Sequence, residues 1–488
     1  MKGENMTQTV QPSTSSSTHA KSFREEADSI GIKQIPSNAL YGVQSLRAKE
    51  NFPMTHESMR PEMINALAYV KKACAIANEN SGILEKRKAE AIADACNEII
   101  AGKYHDAFIV DPIQGGAGTS MNMNANEVIA NLAAAYSGRR IGQYDWIHPN
   151  DDVNMGQSTN DVIPTAGKLA CLWLLNTYEK SLQELILSCQ KKADEFSDVL
   201  KMGRTQLQDA VPIRLGQEFD AYASSLQRSL DRIRMISQEM HQINLGGSAI
   251  GTCVNVDRSY YFMICSELSK ETGIAFEHCS DLVDGTQNID CFASVSSAIK
   301  ESAIALSKMA NDLRLLSSGP KTGIGEIALP AKQNGSSIMP GKINPVIPEV
   351  VSQAAYKVMG NDVTISLACE AGQLELNAFE PVVFYSLFQS IDLMSNAVDT
   401  FRINCIEGIQ ADTERCSRLL NASVGIATAL NPIIGYAKAA SLAKEALKKG
   451  RSVGELAVEK GYLKQEELDE VLDPYQMTKL AQYSHKEN

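Results

Sequence analysis

The placement of proline constrains this chain more than any other feature: none lies between Pro164 and Pro212, and none between Pro212 and Pro320. A proline inside a helix removes a backbone donor and collides with the turn before it, so stretches without one are where long helices can run. In the first stretch Leu175, Tyr178, Leu182, Leu185 and Cys189 recur at steps of three and four residues, and in the second Leu226, Leu230, Ile233 and Ile236 do likewise. Such spacing gathers each set on one helical face. A surface helix with one buried face would show it too, but the length of the stretches and their clustering favour a bundle. A third region of this kind runs from Pro348 to Pro381. The strand-type alternation of a βαβ fold is missing, so the expected class is mainly α.

A chain of 488 residues has room for roughly two to four packed units and a substantial core. Residues 1–22 are rich in Ser, Thr and Gln with almost no large apolar side chain, so burial cannot offset ordering entropy and a disordered tail is expected. Residues 23–158 read as a mostly helical N-terminal domain and 159–414 as the central helical bundle. Over 415–488, Gly435, Gly450 and Gly461 punctuate shorter segments around the charged run KQEELDEVLD, as in a small C-terminal helical domain.

The formal net charge of -12 disfavours phosphate backbones and anionic lipid surfaces, so no nucleic acid and no membrane is expected as a partner. Eleven cysteines, none spaced as in a zinc site, read as buried thiols in a reducing compartment. The first residues lack the apolar run of a secretory signal, and nowhere do about 18 uncharged apolar residues follow one another, which points to the cytoplasm.

Four segments are too rich in Gly, Asn, Ser and Thr for a packed core. In VDPIQGGAGTSMNMNANEVIANL, Gly115, Gly116 and Gly118 allow close backbone approach, and Thr119, Ser120, Asn122 and Asn124 offer short polar groups to an anion. In HPNDDVNMGQSTNDVIPT, Ser158, Thr159 and Asn160 stand just ahead of Pro164 and the first long helix; the free N–H groups there suit a carboxylate, although a plain N-cap uses the same residues. In MGRTQLQDAVPIRLGQEF, Thr205 and Gln206 precede Pro212 and another long helix, and Arg204 and Arg214 read as surface or structural ion-pair residues. The fourth, GEIALPAKQNGSSIMPGKINPVIPEVV, is broken by Gly335, Pro340, Gly341 and Pro345 and carries Ser336, Ser337, Lys342 and Asn344. A polar loop with one cation suits capture of an anionic substrate followed by closure.

Gly335 to Pro345 (GSSIMPGKINP) matches G-S-S-x-M-P-x-K-x-N-P at every specified position, and with the other three segments in order the chain resembles the aspartase/fumarase superfamily from about residue 25 to 477. The resemblance implies a three-domain fold whose central five-helix bundle joins a twenty-helix core in a homotetramer, with each active site shared among three subunits. It implies a small dicarboxylic substrate and no organic cofactor, and leaves a divalent metal activator open. Thr205-Gln206, where fumarases typically show Thr-His, together with AGQLELN at 371–377, GNDVTISLACEAGQ and DPYQMT, resembles the ammonia-eliminating members. Lacking an imidazole at 206, a hydratase would lose the group that helps to activate water.

The resemblance then implies reversible anti elimination of ammonia from L-aspartate to fumarate through an aci-carboxylate. It implies Ser336 as the base, Thr119, Ser158, Thr159 and Ser337 as donors to the β-carboxylate, Lys342 and Asn344 at the α-carboxylate, and Asn160, Thr205 and Gln206 near the amine. His148, within His-Pro-Asn-Asp, reads as structural or as part of a secondary anion site. Three positions depart from the family pattern: Cys253 for Gly, Asp152 for His and Asn334 for Pro. The rival readings are a class II fumarate hydratase, a lyase for a related amino acid, and a non-catalytic scaffold, which would be expected to have lost part of the loop.

Overall fold

A computed structural model describes residues 22–479. The expected tail lies, but for its last residue, outside them. The chain forms two compact units, one taking in the chain to Gln114 and Thr119–Gly156, the other Gly115–Gly118 and the chain from Gln157 onward.

The first unit opens with an antiparallel hairpin, β1 (Phe23–Asp28) and β2 (Gly31–Pro36), pairing from Phe23 with Pro36 to Asp28 with Gly31. Four helices follow: α1 (Val43–Asn51), α2 (Pro61–Asn80), α3 (Lys86–Ile100) and α4 (Thr119–Tyr136). From Met121 to Ala134 every residue of α4 is buried, so its polar side chains must find partners inside the protein. Glu127 accepts the backbone N–H groups of Gly42, Gln44 and Ser45 at 2.8, 2.9 and 3.1 Å, tying down the start of α1, which has no side-chain cap of its own. Burial pushes the Glu127 carboxyl above its ordinary range, and these donors oppose the shift.

The second unit is built on five long helices. The first, α5 (Thr159–Glu195), runs for 37 residues and is followed by a hairpin of β3 (Leu200–Thr205) and β4 (Gln208–Arg214), then α6 (Leu215–Ile236). A shorter stretch comprises β5 (Gln242–Ile243), α7 (Arg258–Thr272), β6 (Glu277–His278) and α8 (Asp284–Gln287). The bundle resumes with α9 (Asp290–Leu316), and beyond β7 (Ile327–Ala328) with α10 (Val346–Glu370) and α11 (Glu380–Asn404). After β8 (Gln410–Ala411) come α12 (Thr413–Ala422), α13 (Asn431–Ile434), α14 (Tyr436–Lys449), α15 (Val453–Glu459), α16 (Gln465–Val471) and α17 (Pro474–Met477). The last helices surround a small apolar cluster that includes Leu430, Leu442, Leu456 and Leu468.

The stripe on α5 is core, with Leu175, Tyr178, Leu182, Leu185 and Cys189 all buried, and Tyr178 shares its hydroxyl with Ser302 of α9 at 2.6 Å. On α6, Leu226, Leu230 and Ile233 are buried and Ile236 is partly so. Pairings along the helices give their directions. Glu179 meets Arg234 while Ala193 lies against Gly216, so α5 and α6 are antiparallel; Ser296 meets Asp362 while Arg314 faces Glu349, so α9 and α10 are antiparallel. A Cβ on Gly167 would lie 2.4 Å from the Phe384 ring, so glycine is required where α5 and α11 touch.

Two local readings of the sequence are corrected. The first long helix begins at Thr159, five residues before Pro164, which sits inside it. The stretch holding Thr205, Gln206 and Pro212 is a β hairpin before it is a helix. Its two-residue turn is Gln206-Leu207, with φ of 54° and 61°. Turns of this kind favour Asn-Gly, so this one carries no sequence signal.

Leu182→Ala should destabilise the protein by about 2–5 kcal/mol through the cavity it leaves. Chemical denaturation would show this as a lowered midpoint with an unchanged slope.

Candidate active site

The residues expected at the site stand in separate places along the chain. Thr119 is the first residue of α4 and is exposed. Asn122 and Asn124, read above as groups offered to an anion, are internal: Asn122 donates to Asn154 Oδ1 at 3.1 Å, while Asn124 accepts from Ile109 N and donates to Ala107 O. His148 caps a short turn over Pro149–Val153, its Nδ1 accepting from the N–H groups of Asn150 and Asp151. Asp152, one of the departures, accepts the His148 N–H at 2.8 Å and pairs with Lys88 at 2.7 Å, so a structural ion pair stands at that position.

Ser158, Thr159 and Asn160 form the N-terminal turn of α5. Ser158 is the N-cap: its hydroxyl accepts from Asn160 N, and Asp161 returns the bond to Ser158 N at 2.9 Å. The Asn160 amide donates one N–H to Ala249 O at 2.7 Å, which fixes the side chain, and its Oδ1 is an acceptor this residue can present to an ammonium group. Asp161, fully buried, also accepts from Gly246 N and Ser248 N at 3.0 Å each. Cys253, in the same glycine-rich segment, has a φ of 59°, so the family's glycine suits the backbone there and cysteine adopts it under strain. Burial, and then the charge of Asp161, push its thiol upward, keeping it protonated.

Thr205 and Gln206 are exposed at the tip of the β3–β4 hairpin. Two adjacent non-glycine residues in left-handed conformation cost roughly 1–2 kcal/mol each, strain of the kind found at functional sites. Arg204, just behind the tip, anchors the hairpin with a two-pronged pair to Glu326 at 2.9 and 3.0 Å, and Glu326 is fully buried. Arg204 is therefore structural, as is Arg214, which donates to Ser197 O and lies over the Tyr475 ring.

Ser336, Ser337, Lys342 and Asn344 share one self-bonded loop. Its neck closes where Gly335 N donates to Lys342 O at 2.8 Å and Asn344 Nδ2 donates to Gly335 O at 2.7 Å. Within it, Ser336 Oγ accepts the backbone N–H groups of Ile338 and Met339 at 3.2 and 3.0 Å. Two aligned donors lower the cost of negative charge on that oxygen. Ser337 and Lys342 are exposed.

Within the second unit these groups do not converge. Arg314 at the end of α9 faces Glu349 at the start of α10, Gly408 lies against Pro330, and Lys192 near the end of α5 reaches Ile409 O. The loop and the hairpin are therefore at the C-terminal end of α5, while Ser158–Asn160 are at its N-terminal end, about 50 Å away along the helix.

This arrangement is a long-helix bundle bearing a serine loop at one end and a polar helix start at the other, and comparison with known proteins makes it a helical lyase. The family model described as Lyase matches residues 31–360, and that described as Fumarase C C-terminus matches residues 426–479. An aspartate ammonia-lyase of Bacillus sp is 52% identical over 455 residues, 93% of this chain and 97% of that protein. One from Bacillus subtilis (strain 168) is 50% identical, covering 94% and 97%. A solved fumarate lyase:delta crystallin from Brucella melitensis, bound to cobalt, superposes with a TM-score of 0.91 at 48% identity, covering 94% of this chain and all of that one. A class II fumarase from Schistosoma mansoni does so at 0.90 and 33% identity, covering 93% and 99%. The chain belongs to the aspartase/fumarase superfamily of lyases.

A Cβ on Gly335 would lie 2.5 Å from Lys342 O, so Gly335→Ala should force the loop neck open. Turnover is expected to fall about tenfold or more, while the melting temperature of this exposed loop variant stays near wild type; steady-state kinetics and a thermal melt check both.

Proposed function

We propose that the chain catalyses the reversible anti elimination of ammonia from L-aspartate to give fumarate. The observation that carries this is the near full-length match, at 50% identity or more, to two aspartate ammonia-lyases. The fumarase matches at 33%, and Gln206 stands where a fumarase typically has histidine. A fumarate hydratase is the second reading, a lyase for a related amino acid the third.

Ser336, as an oxyanion held by the N–H groups of Ile338 and Met339 and by the Lys342 charge, takes the Cβ proton. The electron pair delocalises into the β-carboxylate as a dianionic aci-form, met by Thr119, Ser158, Thr159 and Ser337. Lys342 and the remaining N–H of the Asn344 amide hold the α-carboxylate, and Asn160 Oδ1, Thr205 and Gln206 receive the ammonium group. The pair then forms the C=C bond, the C–N bond breaks, and nitrogen departs with its electrons as ammonia. Ser336 passes its proton to solvent. These steps need neither a redox centre nor an electrophilic cofactor, and we assign none.

The separation of the two ends of α5 supports a site drawn from several copies of the chain. The face of α10 supports self-association, which we read as a homotetramer: Tyr356, Val363 and Leu367 are exposed along one side of an otherwise well-packed helix.

Purified protein given L-aspartate should produce the ultraviolet absorbance of fumarate. Activity with L-malate alone would overturn the assignment. Ser336→Ala should lower turnover by about 100-fold or more while circular dichroism and native mass stay unchanged; near-normal turnover would remove Ser336 from the role of base.

A further inference from the structure

We propose that Asn244 is a positioning residue for the substrate-binding turn Ser158–Asn160, acting by holding the Asn160 carbonyl that Pro164 leaves without a helical partner. The inference rests on the reading of that turn given above.

In α5 the ladder of bonds begins with Val162 N donating to Ser158 O at 3.1 Å. Two residues on, the donor for the Asn160 carbonyl would be the N–H of residue 164, which is proline and has none. Asn244 takes that place: its Nδ2 donates to Asn160 O at 3.0 Å. The other N–H of the same amide goes to Thr286 Oγ1, also at 3.0 Å, and Thr286 passes its own proton to Leu282 O at 2.7 Å. Asn244 is 1% exposed, so no water can substitute cheaply for either bond.

The segment around Asn244 also holds the other handle of the turn. Gly247 N donates to Asn244 O, Gly246 N and Ser248 N donate to Asp161, and Ala249 O accepts from the Asn160 side chain. Residue 160 is thus held at its carbonyl and at its amide by residues 244–249. That double hold fixes the direction of Asn160 Oδ1 and, through the peptide plane that the Asn160 carbonyl shares with Asp161, holds the residue that bonds back to Ser158 N. Asn244 touches no substrate, and its effect passes through Asn160.

The test compares Asn244→Ala, Pro164→Ala and the double variant with wild type in the full-length assembled enzyme. Asn244→Ala should lower kcat/KM for L-aspartate about 10- to 100-fold, with KM rising more than kcat falls, while native mass and helical content are unchanged. Pro164→Ala should stay near wild type. In the double variant the N–H restored at 164 takes the Asn160 carbonyl, and kcat/KM should return to within a few-fold of wild type. Unchanged kinetics in Asn244→Ala, or a double variant no better than the single, would overturn the proposal. If Asn244→Ala alone does not fold, the double variant decides: folded and active supports the assignment, and unfolded or slow overturns it. Fumarate affinity, measured by calorimetry on the same proteins, should follow the same pattern. A wild-type protein that binds fumarate but does not turn over aspartate would overturn the functional reading, and the affinities would still decide the role of Asn244.

Discussion

A helix of 37 residues advances about 55 Å, and α5 holds that length packed against α6 and α11, with Tyr178 of its stripe hydrogen-bonded to Ser302 of α9. Two of the other long helices lie along it, and α10 joins the bundle through α9 and α11. The first turn of α5 presents Ser158, Thr159 and Asn160, and its far end is where the β3–β4 hairpin and the loop from Gly335 to Asn344 are found. Such a rod cannot fold back on itself, so groups at its two ends can share a substrate only when another copy of the chain supplies one of them. In the proposed function, long, regular helices and dispersed polar segments are one design: the bundle would give rigid spacing and a surface for self-association, and the segments at its ends would carry the chemistry.

The chemistry asked of those segments is mostly charge stabilisation by neutral donors. An aci-carboxylate develops charge in a chain with a net charge of -12, so local donors must oppose the global field. Helix N-termini, hydroxyls and a tight loop provide them with little reorganisation. The Ser336 oxygen, with two backbone donors already aimed at it, suits the role of base that we propose for it.

Much of this was legible in the sequence, and the failures have physical causes. The stripes of α5 and α6 announced the bundle because burial of one face leaves a period of three and four. The N-cap at Ser158 was legible as a cap, and the loop was marked by its glycines and prolines. The hairpin was not, because Gln206 and Leu207 occupy left-handed positions that Asn and Gly normally mark. Pro164 reads as a boundary in the sequence, whereas it is accommodated within the helix because the Asn160 carbonyl it leaves free meets a donor 84 residues further along the chain, a tertiary solution that no local pattern encodes. The same holds of Asn122 and Asn124: short polar residues beside a glycine-rich loop look the same whether they face a ligand or, as here, bond to another buried side chain (Asn122 to Asn154) or to backbone (Asn124). The expectation of a site shared between subunits came from family resemblance, and the length of α5 supplies a physical reason for proposing it.

The most direct test of this account is complementation between inactive chains. Thr159→Val and Ser336→Ala variants, each inactive alone, would be unfolded, mixed, refolded together and assayed for fumarate formation from L-aspartate. If Thr159 and Ser336 serve one substrate from different copies, some mixed assemblies contain an intact site and activity returns well above that of either variant refolded alone. A mixture that assembles into hybrid oligomers yet stays as inactive as its components would contradict the account.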